Sequence, residues 1–192
     1  MMRKFLGILL AVSVLAACSS PQKNYYVLSS ASAPQTTGSQ EITTLIGIGP
    51  VEVAEYLNRL HIVWQSGQGE LIMSGNHFWA EPLDKGITRA LALNLTAANS
   101  NRSTVAFPWR ADNKPRYSVR VQVQALDRID SNARMDAVWQ LVDNDAGQVI
   151  HRKRFVQTTP VDAGVSSLTR AYSDLLTVLA KDIEGSLITF GV

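Results

Sequence analysis

The single thiol of this chain, Cys18, stands in the run Leu15-Ala16-Ala17-Cys18-Ser19. Ahead of it lie Arg3 and Lys4, then thirteen apolar or small residues from Phe5 to Ala17. A basic start, a short apolar stretch and small residues before a cut form a secretory signal, because a peptidase must grip an extended backbone around the scissile bond. As a helix those thirteen residues reach only about 20 Å, short of the roughly 30 Å hydrocarbon core of a bilayer. Cleavage there makes Cys18 the first residue of the mature chain. Its sulfur is a nucleophile for covalent attachment, and no second cysteine exists to draw it into a disulfide.

The Leu-Ala-Ala-Cys run resembles the lipobox of bacterial lipoproteins. That resemblance implies a diacylglycerol on the Cys18 sulfur and, after cleavage, an acyl chain on its amino group. Two or more chains attach a protein stably where one binds marginally, each buried methylene contributing about 0.8 kcal/mol. Position 19 is Ser, not the Asp that tends to retain lipoproteins at the inner membrane in enterobacteria-like systems. An outer-membrane anchor is therefore expected. The chain divides into a signal peptide at residues 1–17, a lipidated tether at 18–24 and a single periplasmic α/β domain at 25–192.

Other chemistry is sparse. His61, His77 and His151 lie in separate segments, with no His-x-x-x-His or His-x-Glu pairing of the kind that binds zinc. Ser74-Gly75 lacks the Gly-x-Ser-x-Gly elbow of a nucleophilic serine. Gly47-Ile48-Gly49-Pro50 lacks the Lys-Ser or Lys-Thr ending of a phosphate loop, and its proline removes a donor. Asp127, Asp130 and Asp136 are interleaved with Arg128 and Arg134, a pattern that reads as a solvated hairpin tip. No catalytic residue, metal site or cofactor is called for, and the chain is read as a non-enzyme.

Charge excludes another class. Without Arg3 and Lys4 the formal +2 becomes a balance of sixteen cations and sixteen anions. A nucleic-acid binder needs a surplus of cations to neutralise phosphates, so no nucleic-acid partner is expected. The densest basic run, His151-Arg152-Lys153-Arg154, would alternate between two faces of a strand and so form no single patch. It reads as solvated edge charge, or as a contact for lipid headgroups or an acidic partner. Trp79 and Trp109 adjoin or lie near prolines; they are either core residues or anchors of a partner interface.

The apolar content of 46% is ample for a core. Tyr25-Tyr26-Val27-Leu28 has the aromatic and β-branched make-up of a strand. Residues 29–40 are a loop by composition, either an excursion from a docked strand or part of a long tether. Thr44 to Ala54 predicts a strand, with Pro50 placing it at an edge or at a bulge. Segments around 57–64 and 70–74 flank a Gly-rich turn and predict a hairpin. Leu83, Ile87, Ala90, Leu91 and Leu95 recur at helical spacing after Pro82. Period-two alternation marks strands over 117–125, 135–141 and 148–158. Leu168, Ala171, Tyr172, Leu175, Leu179, Ile183 and Leu187 stripe a second long helix, with Ser166 and Ser167 as candidate N-caps. The fold class is α/β: a single-domain sandwich with a mixed, partly antiparallel sheet packed against two long amphipathic helices.

In order and spacing, several segments resemble the ABC-type transport auxiliary lipoproteins. They are Tyr25-Tyr26-Val27-Leu28, Ile46 to Leu57, Trp79 to Leu83 with Arg89 to Leu95, and Phe107-Pro108-Trp109. The resemblance runs over nearly the whole chain. It implies an outer-membrane lipoprotein facing the periplasm that works with a periplasm-spanning MCE-domain protein and an inner-membrane protein to move lipids between membranes. It carries over no catalytic motif, only the modified Cys18. Two roles stand: an adaptor that docks a transport conduit at the membrane, and a carrier that holds a lipid in its own apolar cavity. Self-association into a homo-oligomer is left open.

Overall fold

The structure, a computed structural model, describes residues 22–30, 42–67, 69–99 and 101–192. Cys18, the signal peptide and the loop over residues 31–40 lie outside the described residues.

Among the described residues eight strands form two sheets. The chain order is β1 (Asn24–Tyr26), β2 (Thr44–Val53), β3 (His61–Gln65), β4 (Leu71–Trp79), α1 (Leu83–Ala98), β5 (Arg102–Ala106), β6 (Tyr117–Ile129), β7 (Asn132–Asp143), β8 (Gln148–Pro160) and α2 (Val165–Thr189). The large sheet runs β5-β2-β6-β7-β8 and the small one β1-β4-β3. In the large sheet β2 pairs parallel with both β5 and β6, whereas β6, β7 and β8 form an antiparallel meander. The mixed α/β expectation therefore holds, with a second, smaller sheet added to it.

Both helices cover one face of the large sheet, α1 on β2 and β5, α2 on β7 and β8. All five stripe residues of α1 and all seven of α2 are buried. They meet Ile46, Ile48, Val119, Met135, Ala137 and Trp139, each fully buried on the inward face of the sheet. One cluster of apolar side chains runs from Leu28 to Leu187. The other face of the sheet is wet, as Arg120, Gln122 and Gln124 show along β6.

Several local expectations are corrected. Of the two placements Pro50 offers, the bulge holds and the edge does not: β2 is interior, and the ladder to β6 absorbs the proline in a register shift between Ile48 and Val51. Gly49, at φ 118°, takes a conformation that suits glycine there. A second shift after Val123 turns β6 over, so Leu126 rather than Ala125 points inward, at 1% exposure. Ser166 and Ser167 lie inside α2, whose N-cap is Gly164, and no side chain caps it. The short strand β5 was not foreseen at all.

Candidate functional site

The N-terminal part of the described domain is built around the first strand. β1 pairs parallel with the last part of β4, Tyr25 opposite Phe78 and Tyr26 opposite Trp79. The chain then leaves the sheet but not the domain. Ala80 N–H donates to the Tyr26 carbonyl at 2.8 Å, and Leu28 is buried in the core at 1% exposure. Arg89 of α1 donates to the Leu28 carbonyl at 2.8 Å while it holds the Glu81 carboxylate at 2.6 Å. Ser29 N–H donates to Ser173 Oγ of α2 at 3.2 Å. The Tyr26 hydroxyl lies 2.7 Å from Nδ1 of His77 and 3.1 Å from Oγ of Ser166. Residues 24–29 thus join the small sheet to both helices, with the Tyr26 and Leu28 carbonyls and the Ser29 N–H each partnered outside the ladder.

The aromatic pair near the prolines divides. Trp79 is 5% exposed and belongs to the core, so it does not project as an interface anchor. The reason is its parity in β4: Phe78 faces outward and Trp79 inward. Trp109 is half-buried. Its ring lies against Gly47, where an added Cβ would come within 2.5 Å of Trp109 Cζ2, and its indole N–H donates to the Val105 carbonyl at 3.2 Å. Phe107, exposed, meets it edge-on at 5.2 Å between centroids. Of the two tryptophans only Trp109 reaches the surface, beside Phe107.

The acidic hairpin is not a solvated tip. Asp130 is exposed at the turn, but Asp127 and Asp136 are each 4% exposed. Asp127 Oδ1 accepts from the Tyr56 hydroxyl at 3.1 Å and from Gln65 N–H at 3.2 Å, which ties the small sheet to the large one. Arg134 donates to Asp136 at 2.6 Å and sits 3.6 Å from Asp127. Arg154 donates to both oxygens of Asp136, at 3.0 and 2.8 Å. Hydrogen bonds from Arg154 first, then from Arg134, hold the Asp136 carboxyl below the usual carboxylate range against the opposing effect of burial. Burial, and then the Asp127 charge, push the Tyr56 phenol above the usual tyrosine range. Asp136 is bonded through both oxygens and Asp127 through one, with Arg134 3.6 Å from the other, an arrangement that suits a latch between strands.

The basic run lies on β8, an outer strand of the large sheet, as its alternation predicts. Lys153 points to the helix side and donates to Asp182 of α2 at 2.5 Å, while Arg154 serves Asp136 on the other face. His61 and His77 lie on paired strands, His61 against Phe78 and His77 against Tyr26, and His151 lies on β8 against Trp139; among the described residues no group of three or more His, Cys, Asp or Glu is placed to hold a metal ion. Nor is any helix among them long and apolar enough to cross a membrane. The clefts among the described residues mix polar and apolar lining, as in one of about 350 Å³ walled by Val53, Ala54 and Val123 beside Glu52, Gln122 and Gln124. One of about 220 Å³ is lined by Pro50, Glu52, Arg120, Gln122 and Gln140, and one of about 480 Å³ by Trp64, Glu70, Arg128 and Asp130 among others.

Comparison with known proteins agrees with this arrangement. The chain is 31% identical to the intermembrane transport lipoprotein PqiC of Escherichia coli, over 95% of this chain and 98% of that one. The same identity and coverage hold for the PqiC of Shigella flexneri. Among solved structures, an uncharacterized protein superposes with a TM-score of 0.70 at 20% identity, covering 87% of this chain and 99% of its own. A Xanthomonas campestris protein superposes at 0.64 with 15% identity, covering 89% and 95%; both show the shared fold. Residues 26–184 match the family described as ABC-type transport auxiliary lipoprotein component, and the chain belongs to that lipoprotein family.

Proposed function

We propose that this lipoprotein is the docking component of an intermembrane lipid transport system, anchored to the outer membrane through acyl chains on Cys18. Its partners would be a PqiB-like MCE-domain protein that spans the periplasm and a PqiA-like inner-membrane protein. Outer-membrane lipids would be contacted through the anchor. Ser19 in place of Asp supports the outer membrane as the destination.

The observation that carries this reading is the docked first strand. Ser19 to Asn24 can extend at most about 20 Å at roughly 3.3–3.6 Å per residue. With Tyr26 locked opposite Trp79, the domain is held at the membrane surface and cannot travel across the periplasm. A short leash suits a fixed collar for a conduit and suits a shuttling carrier poorly. The packing points the same way, because the stripes of both helices and the inward face of the sheet are occupied in covering one another. A carrier would need surplus apolar side chains around a hollow of several hundred Å³.

The test is capture of the lipidated protein from crosslinked envelopes. Recovery of the MCE-domain partner is expected. Recovery of stoichiometric phospholipid without that partner would contradict docking and favour the carrier.

A further inference from the structure

The outer face of the small sheet carries an aromatic row that the docking reading does not use. Tyr25, Phe78 and His61 sit side by side on β1, β4 and β3, with ring centroids 5.6 Å apart for Tyr25–Phe78 and 4.5 Å for His61–Phe78. The Lys23 ammonium lies 5.8 Å from the centre of the Phe78 ring. Tyr25 is 63% exposed, although its neighbour Tyr26 turns inward to His77 and Ser166. Alternation along the strand therefore sends one tyrosine into the domain and the other out of it.

We propose that this face, Tyr25, Phe78 and His61 with Lys23 at its margin, lies against the headgroup layer of the membrane that holds the Cys18 anchor. Three features select a lipid surface as the occupant. The first is chain length: Cys18 lies seven residues before Tyr25, so an acylated Cys18 keeps the patch within about 25 Å of the bilayer. The second is the chemistry of the row. A phenol has an apolar body and a polar rim, the make-up that places tyrosine at membrane–water interfaces. The third is the cation. Lys23 can lay its methylenes along Phe78 and still raise its ammonium to a lipid phosphate. The acyl chains would fix the protein to the bilayer, and the aromatic row would fix which face looks down. This inference rests on the reading of Cys18 as an anchor and deepens the docking proposal, since a fixed orientation presents a constant surface to a conduit.

Cys18 is the only cysteine, and acylation blocks its sulfur, so a second cysteine gives a unique labelling site. The lipidated Tyr25→Cys and Ile188→Cys proteins would each carry an aromatic fluorophore and be reconstituted in phosphatidylethanolamine–phosphatidylglycerol vesicles with a headgroup-linked quencher. Ile188 is 67% exposed near the far end of α2, about 33 Å along the helix from Ser166 at the β1 end. Quenching at position 25 at least about threefold stronger than at position 188 is expected. Equal quenching at the two sites, whether weak or strong, would overturn the proposal. So would self-quenching between labels at position 25 without lipid quenching, which would assign the face to a second copy. An accessible label at position 25 beside a preserved crosslink to the MCE-domain protein would remove the membrane contact and leave docking standing.

Discussion

The Arg89 guanidinium donates to the Leu28 carbonyl at 2.8 Å, so a side chain of the first helix holds the chain just after its first strand. Glu81 keeps that guanidinium in place through two further hydrogen bonds, at 2.6 and 3.0 Å. Without Arg89 the Leu28 carbonyl would lose its partner beside a buried side chain. Arg89→Ala should cost about 1–2 kcal/mol, at the lower end for charged hydrogen bonds because the Arg89 side chain is 40% exposed. The loss should be local. Hydrogen exchange at residues 24–29 should speed up well before α2 loses protection, and uniform acceleration across the domain would show that the contact is not a local clasp.

Helical phase offers a sharper contrast. Leu91 is fully buried on α1, whereas Leu93, two residues on, is 37% exposed. Leu91→Asp would bury an unpaired charge and should cost several kcal/mol. Leu93→Gln should stay within about 0.5 kcal/mol. Thermal melts of the two variants decide the matter, and equal losses would contradict the packing described.

The Asp136 latch makes stability depend on acid. Its folded carboxyl titrates below the ordinary range, so its contribution is complete above the unfolded value of about 3.9 and is lost as pH falls through the folded value. Asp136→Asn should lower stability at neutral pH by roughly 2 kcal/mol, because it removes the charged acceptor of Arg134 and Arg154. The difference between the two proteins should shrink as pH drops below about 4. Urea denaturation at pH 7 and pH 3 measures this, and a constant difference would contradict the latch.

Gly47 tests the Trp109 surface. Any side chain there meets the indole and Pro115, with Cβ only 2.5 and 2.7 Å from them. Gly47→Ala should therefore push Trp109 off β2, cost about 1–3 kcal/mol and shift its fluorescence towards that of a solvated indole. An unchanged spectrum would mean that the indole does not pack on Gly47.

How legible these features were in the sequence follows from how local their signals are. Both helices could be read because their stripes are uninterrupted: every residue from Leu168 to Leu187 named on periodicity is buried. The meander could be read for the same reason, at a period of two. β5 could not. Its five residues, Arg102–Ala106, include a buried arginine, and β5 gains its place only by parallel pairing with β2, some sixty residues earlier. Arg102 is held by Glu184 of α2, a partner no local window contains. The carboxylates misled for a similar reason. Asp127 and Asp136 look like turn residues until the strands extend to Ile129 and Asn132 and bring Arg154 from a third strand. Trp79 was ambiguous beside a proline because its parity is set by the β4 ladder, which the sequence does not display.

In the proposed function a short leash holds a docking domain at the membrane. The direct measurement is to lengthen that leash. About twenty Gly and Ser residues inserted between Ser20 and Pro21 add up to roughly 70 Å of reach and leave both Cys18 and β1 intact. The expected result is a folded, lipidated protein whose crosslinking to the proposed MCE-domain partner, and whose lipid transport in intact envelopes, falls severalfold. Full transport with the lengthened leash would contradict it, because a domain free to roam the periplasm would then do the work of a fixed one.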